Sequence, residues 1–184
     1  MPHPQDEVQA TVDGYLALRN RIEAGEVTWL DLYAESVDPV MRADEWHAYM
    51  ASLKPSATAA ADDALDHRVA EHGRLVAAAD AIVFVYPTWW SSLPAMLKGW
   101  IERTMRPGVA FSTTPDGAIR PALGRLQRLV GISTYGSSRR YVALVNDNGR
   151  RIITRALRSC CSGRTRTTWL PFYSIDTSTP DRKS

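Results

Sequence analysis

With 184 residues and 20.5 kDa, the chain is long enough for one domain with a sizeable core, spanning 1–184, and too short to argue for two. Hydrophobic residues make up 45% and charged residues 23%, and no apolar run approaches the roughly 18 to 20 residues of a membrane-crossing helix, so wholesale disorder and membrane insertion are excluded. The net charge of +2 hides an asymmetry: residues 150–184 carry 8 basic and 2 acidic groups, while 1–149 carry 14 and 18.

The N-terminal run Met1-Pro2-His3-Pro4-Gln5-Asp6-Glu7 lacks a basic start followed by an apolar stretch, so no secretory signal is read and a cytoplasmic location is expected. Cys160 and Cys161 are adjacent, which disfavours a disulfide between them and gives no zinc spacing. His3, His47, His67 and His72 are scattered, so no metal site is expected. Arg150, Arg151, Arg155, Arg158, Arg164 and Arg166 come without aromatic interleaving or a helix-turn-helix pattern, and they read as a solvated helix face, not a nucleic-acid surface.

Val8, Val12, Tyr15, Leu16 and Ile22 recur at helical spacings over Glu7–Ala24, and Gly25 closes that helix. Residues 27–33 are β-rich and predict a strand. A short helix follows over Arg42–Leu53 and an alanine-rich one over Ala57–Ala79, interrupted near Gly73. Residues 81–86 form a continuous apolar run, as expected of a parallel strand covered on both faces and stopped by Pro87. Leu93–Met105 reads as a helix, 106–118 as a loop, Leu126–Ile132 as a strand, Gly149–Cys160 as a helix, and Thr167–Tyr173 as a last strand broken by Pro171. This alternation predicts an α/β fold, a three-layer sandwich around a mainly parallel sheet.

Ligands of such sheets bind at the carboxyl ends of the strands. Two segments stand there: Tyr86-Pro87-Thr88-Trp89-Trp90-Ser91-Ser92-Leu93-Pro94 and Ser133-Thr134-Tyr135-Gly136-Ser137-Ser138-Arg139-Arg140-Tyr141. Consecutive tryptophans offer stacking area, and small residues let backbone amides approach a ligand, so a planar heteroaromatic such as a flavin satisfies both. Core packing of Trp89 and Trp90, with an ordinary glycine turn at 133–141, is the alternative on composition alone.

The run from Val85 to Arg103, VYPTWWSSLPAMLKGWIER, resembles the signature of the NAD(P)H:quinone oxidoreductase family, which has the flavodoxin-like fold. Residues 30–35, Asp38-Pro39-Val40, 133–137 and Thr168-Trp169-Leu170 resemble further family pieces in the family's order. The resemblance implies a homodimeric flavoprotein, with FMN or FAD as cofactor and NAD(P)H as co-substrate. Such a protein passes two electrons through flavin N5 to a quinone or related acceptor. By resemblance, Pro87, Thr88, Trp89 and Trp90 line one side of the flavin, Ser133, Thr134, Tyr135, Gly136 and Ser137 serve its polar edge, and Tyr141 is the catalytic tyrosine. Asp147 stands where the best-known animal members have a histidine. The family also includes non-catalytic subunits ancillary to potassium-efflux systems, which is the alternative function.

Family members place a central strand ahead of the His-Pro pair, yet Met1 lies two residues before His3-Pro4. Ser178-Thr179-Pro180-Asp181 resembles the N-cap of a closing helix. The expectation is a flavodoxin-like domain lacking its first strand and last helix, with the upstream strand encoded in a longer gene.

Overall fold

The structure, a computed structural model, describes residues 27–53 and 66–175. The helix expected at 7–24, the first part of the alanine-rich helix and the cap at 178–181 lie outside the described residues.

Residues 27–36 belong to a unit separate from 37–175 and are not a strand. Asp31 decides this, because its Oδ1 accepts from the amides of Tyr33 and Ala34, each at 3.0 Å. Its carbonyl also accepts from Glu35 N at 2.9 Å. A carboxylate that bonds the backbone two and three residues on offers an alternative to a ladder, so the β-rich composition folds as a turn.

Within 37–175, helix α1 is Ala43–Ser52. Its N-terminus is closed by Glu45, whose Oε2 accepts from Arg42 N at 3.1 Å, and Asp44 and Glu45 complement the positive end of the helix dipole. Helix α2, His67–Ala78, is capped by Asp66, which accepts from Arg68 N at 2.9 Å. It buries Val69, His72, Gly73 and Val76, the i, i+3, i+4, i+7 stripe of a helix with one core-facing side. It runs unbroken through Gly73, where a Cβ would come within 3.2 Å of Val109 Cγ2.

Strand β1, Ala81–Pro87, pairs in parallel with β4, Arg128–Thr134, which pairs in parallel with β5, Arg166–Phe172. The sheet order β1-β4-β5 requires crossovers, and α3, Ala95–Thr104, starts the first of them. Between α3 and β4 the expected loop folds into a hairpin, β2 Phe111–Thr113 against β3 Ile119–Pro121, turned by Pro115-Asp116-Gly117 with Gly117 at φ 81°. Helix α4, Arg139–Leu144, was not legible from periodicity. Helix α5, Asn148–Arg151, widens into a π-helical segment, Ile152–Leu157, inside the helix expected over 149–160. Pro171 does not break β5; among the described residues β5 pairs only with β4, so its missing amide proton interrupts no ladder on the other edge.

Among the described residues the core lies on one side of the sheet. Trp100 of α3 meets Phe84 edge to face at 6.1 Å and donates from Nε1 to His72 Nδ1 at 3.0 Å, joining sheet, α3 and α2. The π-helical segment buries Ile153 and Leu157. Strand β1 is correspondingly one-sided: Phe84 and Tyr86 are buried, whereas Val83 is 42% and Val85 57% exposed. Among the described residues the cover lies on one face, where α3 and α5 both pack against Phe84 and Tyr86.

At the end of α3, Arg103 and Glu45 form a buried ion pair, and Arg103 Nη1 also donates to Asp38 O. This ties α1 and the 37–42 segment to α3 with the guanidinium and carboxylate both nearly sealed from water.

Candidate active site

Strands β1 and β4 end together at the pair Pro87–Thr134, and Thr88 N extends the ladder by donating to Thr134 O at 2.8 Å. Thr88 Oγ1 and Ser133 Oγ share a hydrogen bond of 2.8 Å. The two segments singled out from the sequence are thereby held side by side at the carboxyl end of the sheet.

Past Thr88 the chain reverses in a two-residue turn. Trp89 N donates to Ser92 O at 3.1 Å, and Ser92 N to Trp89 O at 2.9 Å. The central residues, Trp90 and Ser91, take φ of 46° and 58°, the left-handed region that such turns normally fill with Asn-Gly. Each non-glycine residue there costs about 1 kcal/mol. The result is that Trp89 is 62% and Trp90 97% exposed, while Leu93 behind them is buried. An indole presented to solvent by strained backbone is a feature associated with binding sites.

The second segment divides by depth. Ser133 and Tyr135 are buried, so their side chains belong to the scaffold under the loop, while Gly136 and Ser137 are exposed and Thr134 is partly so. Tyr135 N donates to Phe172 O at 2.8 Å, Ile175 N to Tyr135 O at 3.1 Å, and the Tyr135 ring stacks on Tyr173 at 5.0 Å. Its hydroxyl donates to Asp147 Oδ2 at 2.9 Å. Ser138 caps α4, which carries Tyr141, 52% exposed, beside Arg139 and Arg140.

The backbone amides of Trp90, Ser91, Gly136 and Ser137 make no hydrogen bond among the described residues. Trp90, Gly136 and Ser137 are exposed and Ser91 is half-buried, so these donors lie at the surface of the two loops. Such a set suits a flat ligand with acceptor atoms on its rim, so the residues present fit a flavin ring.

Beneath the loops, burial raises the phenol pKa values of Tyr86 and Tyr135, helped in Tyr135 by its hydrogen bond to the Asp147 carboxylate and in Tyr86 by the nearby Tyr135 phenol, which would repel a second phenolate, and the Asp147 charge. Both stay protonated. Among the described residues the Tyr86 hydroxyl and Trp169 Nε1 are buried without a well-formed hydrogen bond, with Ser133 and Tyr135 as their polar neighbours. From the sequence, Asp147 is marked only as standing at a family histidine's position, and the turn at 146–149 that carries it is not read as part of the site. Its signal was present in Asn146-Asp147-Asn148-Gly149, a turn composition overshadowed by the helical pattern that follows.

Among the described residues no group of three His, Cys, Asp or Glu side chains is placed to hold a metal ion, and no helix is long and apolar enough to cross a membrane.

Known proteins resemble this chain in sequence and fold. The uncharacterized NAD(P)H oxidoreductase YcaK of Escherichia coli is 31% identical over 113 residues, covering 59% of this chain and 52% of that one. NAD(P)H dehydrogenase [quinone] 1 of Rattus norvegicus is 37% identical over 73 residues, covering 40% and 26%. The chain thus spans about half or less of the curated relatives it matches. The crystal structure of Smu.1420 from Streptococcus mutans UA159 superposes with a TM-score of 0.65 at 28% identity, covering 84% of this chain and 74% of that one. The family profile described as the flavodoxin-like fold matches residues 3–183, so the chain, with its parallel β1-β4-β5 sheet and its two loops at the carboxyl end, belongs to the flavodoxin-like family.

Proposed function

We propose that this protein is a flavin-dependent NAD(P)H:quinone, or related acceptor, oxidoreductase, built as a single flavodoxin-like domain over 1–184. The observation that carries the reading is the strained Trp89–Ser92 turn, which holds Trp90 almost wholly in solvent beside four unengaged amides. A fold under no functional demand would relax that turn with glycine.

In this reading Trp89 and Trp90 form a wall, with Pro87 and Thr88 at its base. The amides of Trp90, Ser91, Gly136 and Ser137, together with the Thr134 and Ser137 hydroxyls, donate to the ligand's polar rim. Bound FMN or FAD supplies the hydride chemistry. Tyr141 offers a phenolic proton from an exposed position on α4, within the segment that follows the loop. Ser133 and Tyr135 act from below, holding the loop rather than touching the ligand. A quinone-like acceptor, a cytoplasmic location and a homodimer belong to the same proposal.

An absorption spectrum of the purified chain, with FMN and then FAD added, tests it. Uptake of either flavin and bleaching of its visible band by NADPH or NADH without oxygen is the expected result. Failure to bind either flavin overturns the oxidoreductase reading and leaves a non-catalytic flavodoxin-like protein.

A further inference from the structure

The 146–149 turn lies between the two loops of the site and is bonded to both. On one side the Tyr135 hydroxyl donates to Asp147 Oδ2 at 2.9 Å. On the other, Asn148 N donates to Ser91 O at 3.0 Å. Gly149 brings the same turn hard against the end of the Trp89–Ser92 turn: a Cβ there would stand 3.1 Å from the carbonyl carbon of Ser92, 3.1 Å from the Tyr86 hydroxyl and 3.3 Å from Leu93 N.

We propose that this turn is the common anchor of the site, and that Tyr135 and Asp147 are positioning residues that set the placement of the Trp90 turn relative to the Gly136 loop. The consequence for ligand binding rests on the flavin reading above, whereas the mechanical link concerns this chain alone.

Two features support it. Asn146 and Asp147 are consecutive residues at φ of 74° and 38°, the left-handed region that Asn and Asp enter most readily among non-glycine residues, and two in a row are kept there by the contacts around them. Both oxygens of the Asp147 carboxylate supply such contacts, Oδ2 to Tyr135 and Oδ1 to Arg150 N at 3.2 Å. Tyr135 is the fixed end of the link, since its backbone is bonded on both sides to the 172–175 segment and its ring is stacked on Tyr173. A carboxylate engaged at both oxygens orients its neighbours and is not placed to carry a proton to a ligand.

Tyr135 makes no hydrogen bond with residues 89–92, but its hydroxyl also has Thr88 and Trp169 as polar neighbours, so Tyr135→Phe is read together with Asp147→Ala, which leaves those neighbours in place. Amide hydrogen exchange on the full-length, flavin-free protein is the primary readout, with FMN affinity by fluorescence titration as the second. Tyr135→Phe is expected to speed exchange at the Trp89 and Ser92 amides about tenfold, the loss of one charge-assisted hydrogen bond. Asp147→Ala does the same or more, and the double variant no more than Asp147→Ala alone. Asp147→Asn retains an acceptor for the phenol and stays within about threefold of the parent, with an unchanged pH profile. FMN affinity falls in step with exchange.

Wild-type exchange at Trp89 and Ser92 in Tyr135→Phe overturns the anchor, as do additive single effects or an Asp147→Asn variant as impaired as Asp147→Ala. Loss of a pH limb in Asp147→Asn overturns the positioning role in favour of proton transfer. Faster exchange with unchanged FMN affinity overturns the link to the ligand. A parent chain that takes up no flavin refutes the functional reading instead, and the exchange data then judge the anchor independently.

Discussion

Gly131 and Trp169 face one another across β4 and β5, and the indole lies where a side chain on Gly131 would begin. A Cβ at 131 would fall inside contact distance of Cε3 and Cζ3 of the ring and 3.2 Å from Cη2. Gly131→Ala is therefore expected to cost about 1–3 kcal/mol, the range for overpacking a close-packed core, because the ring must tilt away from the sheet. Urea denaturation measures it, and adding Trp169→Leu should recover much of the loss.

Glu45 and Arg103 are each at most 4% exposed, so neither charge is compensated by water once its partner is gone. Glu45→Ala should destabilise by about 3–5 kcal/mol, whereas the double change to Glu45→Leu and Arg103→Met should be close to neutral. A double-mutant cycle followed by thermal denaturation separates the pair's coupling from the cost of an orphaned charge. Equal losses in the single and double variants would show that packing, not charge, dominates there.

Among the described residues the buried Tyr86 hydroxyl has no well-formed hydrogen bond. Tyr86→Phe removes an unsatisfied polar group at nearly constant shape, so stability should hold or rise by about 1 kcal/mol. The same residue predicts an alkaline trend. Tyr86 and Tyr135 keep their protons above the ordinary phenol value of 10.0 because they are buried. Above pH 10 the unfolded chain releases protons that the native chain retains, so stability declines as pH rises beyond that point. Denaturant midpoints between pH 8 and about pH 11 should fall for the parent and fall less steeply for Tyr86→Phe.

Trp90 couples stability to binding with opposite signs. Trp90→Gly relieves a left-handed non-glycine residue and should raise stability by about 1 kcal/mol. It also removes the exposed indole, so flavin affinity should drop by about tenfold, as expected for a lost aromatic stacking partner. Thermal denaturation and flavin titration on the same samples test both halves, and a destabilised variant would show that the turn is not strained.

The sequence revealed the parallel strands best, because 81–86 and the strand after it are short apolar runs bounded by Pro87 and by the glycine-containing loop. The two ligand loops were legible for the same reason: each begins where such a run ends. Their division into rim and scaffold was not, because burial of Ser133 and Tyr135 depends on β5 and on Asp147, contacts made at long sequence distance. The strand expected at 27–33 failed because one carboxylate, Asp31, outweighed the β propensity of six neighbours. The β2–β3 hairpin escaped notice because each of its strands is three residues long and shows no alternation, although Pro115-Asp116-Gly117 marks its turn.

Helix α3 meets the 37–42 segment with no side chain between them. At Gly99 a Cβ would lie 2.6 Å from Pro39 Cα and 2.7 Å from its carbonyl carbon, so the helix accepts its least favourable interior residue short of proline to let two backbones touch. The two positions are consequently not free to drift apart in evolution. In a library randomised across the chain, survivors at 99 should be almost entirely glycine. The few exceptions should carry a second change near 39, so the pair would be recovered together as a covarying unit even though neither residue belongs to the site.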